Sequence, residues 1–248
     1  MLAPLTLAAI WIGGVAFAAL VTIAAAAMGW EWARLTGCRW PGSALLVLTN
    51  GLACIALASG APFAALAVVA AGAALTVLAA RTAAAAWAAL GGAAIALPSL
   101  AVLWLGGEFG RLFLLWLFLT VWATDTGAFL AGRTLGGPRL APAFSPNKTW
   151  TGLCGGLAAA ALVGWACARF MGTAPSLVPA GIALSLAAQL GDLAESAAKR
   201  RFGVKDSSRL IPGHGGLLDR LDGMLGASAL AWLVAFSTGA APILWRGS

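Results

Sequence analysis

Between Ser196 and Asp222 the chain reads SAAKRRFGVKDSSRLIPGHGGLLDRLD, and these residues carry nine of the 23 side chains ionised at neutral pH. The cations are Lys199, Arg200, Arg201, Lys205, Arg209 and Arg220; the anions are Asp206, Asp219 and Asp222; His214, the one histidine of the chain, lies among them. Cations and carboxylates gathered in one place are the materials for holding phosphates and a metal. A basic loop that only orients the chain in a membrane is the plainer reading, but such a loop needs neither aspartates nor a Gly213-His214-Gly215-Gly216 turn. Glycine there allows close backbone approach. Consecutive backbone N–H groups in such a turn form a concavity for an anion. His214 is placed to donate to a phosphate or to transfer a proton.

Asp219 and Asp222 are three residues apart, so in a helix they project from neighbouring faces of its first turn. Upstream, Ser185, Gln189, Asp192, Ser196 and Lys199 are spaced 4, 3, 4 and 3 and form one polar stripe on an otherwise apolar helix, with Glu195 at its edge. Ionisable residues inside a span are costly and face a cavity or a partner; a polar contact between helices is the alternative. Magnesium takes oxygen ligands, commonly one or two carboxylates plus substrate phosphates. Asp192 and Asp219, with Asp222 near them, are the candidate ligands. For Asp222 the alternative is helix capping and a pair with Arg220.

Two further groups carry polar chemistry. Ser145-Pro146-Asn147-Lys148-Thr149-Trp150 places a cation, two hydroxyls and an amide next to a helix start, where an anion is favoured; ordinary capping by Ser145 or Asn147 is the plain alternative. Asp125-Thr126-Gly127-Ala128-Phe129 sets a carboxylate in or near the membrane, either for a role or for a salt bridge. The chain has no GxxxxGK[ST] loop, no HExxH and no GxSxG.

The elements that position these residues are apolar. Of 248 residues 61% are hydrophobic and 9% charged, far below the roughly 25% charged of soluble domains. Several stretches reach the roughly 20 residues needed to span a bilayer. Eight spans are predicted, at about 5–28, 42–60, 63–80, 84–105, 109–125, 150–171, 177–197 and 223–245. Pro98 is expected to kink the fourth and Gly106-Gly107-Glu108 to end it. The prediction is an all-α, polytopic bundle forming a single membrane domain, with residues 1–105 as apolar N-terminal helices and 109–245 as catalytic helices and loops. The first stretch reads as a retained span rather than a signal peptide, because no Lys or Arg precedes Arg34. Cys38, Cys54, Cys154 and Cys167 form no CxxC pair and read as small buried hydrophobes.

Eight spans put Arg34, Arg39, Arg81, Arg133, Arg139, Lys148, Lys199, Arg200, Arg201, Lys205, Arg209 and Arg220 on one side and Arg111, Arg169 and Arg246 on the other. By the positive-inside rule the first group is cytoplasmic. The net charge of +7 sits beside membrane segments, which favours lipid headgroups and phosphates over nucleic acid.

Taken together, the motifs resemble the phosphatidate cytidylyltransferase (CDP-diacylglycerol synthase) family. Its signature is matched in register by Ser196, Lys199-Arg200, Lys205-Asp206, His214-Gly215-Gly216, Asp219-Arg220 and Asp222. Gly191-Asp192, Glu195-Ser196, Ser145–Trp150 and Asp125–Phe129 resemble its other motifs, as does the Trp30-Glu31-Trp32 placement. Thr151 and Ala198 depart from the family's usual residues. The resemblance implies that CTP and phosphatidic acid give CDP-diacylglycerol and pyrophosphate at the cytoplasmic face of an inner membrane, with Mg2+ required and room for a second cation. Lys148, Lys199, Arg200, Lys205 and Arg220 would neutralise phosphates. Ser145, Asn147, Thr149, Asp206, Gly215 and Gly216 would bind substrate, and membrane lipids would surround the acyl tails. Oligomeric state stays open, a homodimer included. Two alternatives remain: a cytidylyltransferase for another lipid phosphate, and a transporter with Asp125, Asp192 and Glu195 as an ion relay.

Overall fold

Alanine and leucine are among the strongest helix formers, and a helix satisfies its own backbone groups in lipid. The computed structural model describes residues 2–80, 83–171, 175–210, 213 and 215–238. Its elements are α1 (Leu2–Ile12), α2 (Gly14–Leu35), α3 (Gly42–Ala58), α4 (Pro62–Ala80), α5 (Ala83–Leu135), β1 (Arg139–Ala141), β2 (Ser145–Thr149), α6 (Trp150–Met171), α7 (Leu177–Arg201) and α8 (Leu218–Thr238). Among the described residues five helices are long and apolar enough to cross a membrane, at 14–35, 62–79, 84–135, 150–170 and 177–201. The chain is a multi-pass, all-α membrane protein. Arg81, Arg246 and the expected last span beyond Thr238 lie outside the described residues.

The breaks differ from those read in the sequence, and glycine conformation is the reason. The expected first span divides into α1 and α2 at Gly13 and Gly14, with φ of 70° and 49°. Gly106, Gly107 and Glu108, expected to end a span, stay helical within α5; the break falls at Gly110 (φ 77°, ψ −176°), a backbone region that essentially only glycine occupies. The segments on either side, residues 83–109 and 111–135, each exceed the roughly 20 residues of a span. Asp125 therefore lies within a helix rather than at its end. Pro98 is taken up inside α5. At 17 residues α3 is short for a span.

The chain forms two compact units, one of residues 1–107 and 201–221, the other of 108–200 and 222–248. In the first, Ala25, Ala53, Cys54, Ala65, Val69, Ala96 and Leu100 form a core shared by α2, α3, α4 and the start of α5. Cys54 and Cys167 are buried as expected, whereas Cys154 is exposed. The charged loop docks on this unit through Phe202, which meets Trp32 and Trp87 edge-on with ring centroids 6.4 and 6.2 Å away. Trp32 Nε1 donates to the Trp87 carbonyl at 3.0 Å.

In the second unit the polar segment before α6 is a two-stranded antiparallel ribbon, with Arg139 opposite Thr149, Ala141 opposite Ser145 and an irregularity between. Pro146 is tolerated because every strand of such a ribbon is an edge. The strand runs straight into α6: Trp150 N–H donates to Pro138 O at 3.1 Å, and Gly152 N–H donates to Thr149 Oγ1 at 3.0 Å.

Candidate active site

The second unit brings three carboxylates together. Asp192, Glu195 and Asp222 each offer an oxygen within 4.8 Å of the others, and Glu195 is buried. Helix α7 supplies the first two because positions three apart share a face; α8 supplies Asp222. Gly191 makes the approach possible. A Cβ there would lie 2.6 Å from Asp222 O and 3.2 Å from Gly226 Cα, so a side chain would push α8 away.

Two lysines enter the cluster. Lys148 Nζ, on β2, lies 2.6 Å from Asp192 Oδ2, and Lys199 Nζ, one turn along α7, lies 2.5 Å from Glu195 Oε2. Ser196 Oγ donates to Asp192 Oδ1 at 3.4 Å, and Gly223 N–H to Asp222 Oδ1 at 2.7 Å. Arg200 Nε donates to Phe144 O at 3.2 Å, tying the end of α7 to the ribbon that carries Lys148. The expected stripe is present: Gln189 Nε2 reaches Ser185 Oγ and Leu153 O, each at 3.4 Å. The cluster thus sets three carboxylates beside two ammonium groups. Such a set of hard oxygen donors fits a divalent cation of the magnesium type.

The first unit holds the rest of the charged stretch. Asp219 accepts from Ser207 N–H at 3.0 Å, from Ser207 Oγ at 3.0 Å and from Gly216 N–H at 2.8 Å. Its carboxylate thus shapes the loop. Glu31, fully buried on α2, accepts from Ser208 Oγ at 2.6 Å, Leu217 N–H at 2.8 Å, Leu218 N–H at 2.6 Å and Ser207 Oγ at 3.4 Å. A buried charge is costly unless its lone pairs are filled, and here they are filled by the N-terminus of α8 and the loop before it, where a negative charge also meets the helix dipole favourably. Gly216 leaves room for this: a Cβ there would lie 1.9 Å from Ser207 Oγ and 2.7 Å from Glu31 Oε1.

Of the residues singled out by sequence, Asp192, Asp222, Lys148 and Lys199 meet in the carboxylate cluster. Asp219, Gly215 and Gly216 meet in the loop; Gly215 has φ 83°, and a Cβ on it would lie 3.0 Å from Asp219 Oδ2. Lys205 and Asp206 are exposed and line a pocket with Trp30 and Arg34. Ser145 and Asn147 lie on β2, and Thr149 caps α6. Arg220 is exposed on the first turn of α8. His214 lies outside the described residues. Asp125, exposed on α5, acts electrostatically on Asp222. Glu31 was legible only as a lone carboxylate between two tryptophans, and Glu195 only as the edge of a stripe.

A sequence profile described as the cytidylyltransferase family matches residues 1–238. The phosphatidate cytidylyltransferase of Brucella suis is 41% identical over 242 residues, covering 94% of this chain and 89% of that protein; that of Brucella abortus matches to the same extent. The phosphatidate cytidylyltransferase of Staphylococcus aureus is 45% identical over 143 residues, 54% of this chain and 55% of that protein.

Proposed function

We propose that this chain, which belongs to the cytidylyltransferase family, is a phosphatidate cytidylyltransferase that makes CDP-diacylglycerol and pyrophosphate from phosphatidate and CTP. The observation that carries this reading is the Asp192–Glu195–Asp222 cluster with Lys148 and Lys199 salt-bridged into it. In the reaction a phosphate oxygen of phosphatidate bonds to the α-phosphorus of CTP while the bond to the β-phosphate oxygen breaks. The nucleophile is a phosphate monoester, already ionised at neutral pH, so no strong general base is needed. The task is to bring two polyanions together and stabilise the charge that develops on pyrophosphate.

Asp192, Glu195 and Asp222 would hold Mg2+. When bound, the ion supplies charge neutralisation at the phosphate oxygens. Lys148 and Lys199, already at the cluster, bind phosphate oxygens as compact point charges. Arg200 and Arg220 add positive charge, and Ser145, Asn147 and Thr149 place Lys148. Asp219 we assign to holding Ser207 and Gly216, so that Lys205, Asp206, Gly215 and Gly216 meet substrate in a fixed arrangement. Eight crossings are formed by α2, α3, α4, the two parts of α5, α6, α7 and α8, with α1 a short helix before them. The charge asymmetry then supports a site on the cytoplasmic face of the inner membrane.

The test is conversion of labelled CTP and phosphatidate by the purified protein with Mg2+. Label in the lipid phase, released pyrophosphate in equal amount, and a preference for phosphatidate over isoprenoid or ether-lipid phosphates are expected. No lipid-soluble label, with CTP intact, overturns the reading and returns weight to transport.

A further inference from the structure

An open pocket of about 660 Å3 in the first unit is lined by Trp30, Arg34, Lys205, Asp206 and the segment Ser207–Leu210. Arg34, Lys205 and Arg209 are its cations, and among the described residues none of the three is salt-bridged to a carboxylate. Of the lining residues three are cations and one, Asp206, is a carboxylate; Glu31 and Asp219 lie behind the loop, with their oxygens accepting from its serines and backbone N–H groups. The Arg34 guanidinium lies over the Trp30 ring at 4.9 Å, a contact that steadies the group and leaves its N–H donors without an oxygen partner among the described residues.

The pocket is held in shape rather than left to a loose loop. Ser208 Oγ donates to Glu31 Oε1 and accepts from Leu210 N–H at 3.0 Å, while Ser207 is held on Asp219. Glu31 is the neighbour of Trp30 and lies three residues from Arg34 on α2. Binding the loop at Glu31 therefore sets Lys205 and Arg209 beside Arg34. Positive groups fixed this way bind a phosphate better than the same groups on a mobile loop, because less ordering is needed on binding.

We propose that this pocket binds a phosphate group and that Arg34, together with Lys205 and Arg209, is a binding residue in it. The cytidylyltransferase reading supplies two sources of that group, the nucleotide polyphosphate and the lipid phosphate. The planar guanidinium matches phosphate through paired N–H donors.

The test is binding, so that it stands apart from turnover. Thermal unfolding of the full-length protein in detergent is followed in magnesium-free buffer with chelator. CTP, pyrophosphate and short-chain phosphatidate are titrated separately into wild type, Arg34→Gln, Arg34→Lys and Arg209→Gln. Each glutamine variant is expected to raise the titration midpoint of at least one probe about tenfold or more, the scale of a lost charge-assisted contact, with Arg34→Lys intermediate. A shift with CTP and pyrophosphate assigns the site to the nucleotide; a shift with phosphatidate alone assigns it to the lipid. Midpoints within twofold of wild type for all three probes, or no probe stabilising wild type, overturn the proposal. Wild-type turnover, measured separately, tests the family activity and does not bear on this result.

Discussion

Replacing Glu31 with glutamine isolates the contribution of one buried charge. The side chains are nearly the same size, so packing is kept. The carboxylate has two acceptor oxygens: Oε1 takes Ser208 Oγ and Leu217 N–H, and Oε2 takes Leu218 N–H and Ser207 Oγ. An amide has one acceptor oxygen, and its NH2 group must then face one of these donor pairs. A serine hydroxyl can turn to accept from it, but a backbone N–H cannot. Either the half-buried Leu217 N–H or the buried Leu218 N–H therefore loses its partner, at about 1–3 kcal/mol, and the surviving bonds lose their charge. A net cost of about 2 kcal/mol follows, which for a chain of this size corresponds to about 4–8 °C in Tm. Glu31→Ala strands both N–H groups and opens a cavity, so its Tm falls further. Thermal unfolding in detergent followed by tryptophan fluorescence measures both. A Glu31→Gln protein within 1 °C of wild type, or an alanine variant no worse than the glutamine one, would refute the account of Glu31 as the acceptor that holds the α8 N-terminus.

Other substitutions test the cluster. Asp192→Asn and Asp222→Asn should each lower turnover at saturating magnesium by about 100-fold or more, the scale of lost electrostatic stabilisation, and activity near wild type in either removes that residue from the cation site. Gly191→Ala should lower both Tm and turnover, since its methyl meets the Asp222 backbone and overpacking costs about 1–3 kcal/mol; a variant as stable and active as wild type means that α7 and α8 are not so close. Lys148→Met should reduce turnover with little change in Tm, and Lys148→Arg should rescue only partly, because a planar fork does not replace an ammonium 2.6 Å from Asp192; full rescue by arginine reduces Lys148 to a topological anchor. Ser207 is buried, so the sidedness of the loops is better read at exposed Ala143: Ala143→Cys, with the four native cysteines replaced by serine, should resist an impermeant thiol reagent applied outside intact cells, and efficient labelling reverses the orientation.

Some of this molecule is written locally and some is not. The polar stripe of Ser185, Gln189, Asp192, Ser196 and Lys199 was legible because helical periodicity alone decides which residues share a face, and α7 runs from Leu177 to Arg201 around it. The membrane class was legible from composition, because long apolar stretches without charge have few other stable forms in water or lipid. The charged residues between Ser196 and Asp222 marked themselves by contrast with their surroundings. The tertiary structure alone decided which carboxylates meet. Glu195 joins Asp192 and Asp222 because Gly191 lets α8 in close. Glu31 fixes a loop 176 or more residues away. The helices also break at Gly13, Gly14 and Gly110 rather than at Gly106 or Gly107. The physical reason is common to these cases. Alanine- and glycine-rich helix surfaces are nearly alike in sequence, and a glycine accepts helical and left-handed backbone at similar cost, so the choice of neighbour and of break falls to the three-dimensional fit of the whole chain.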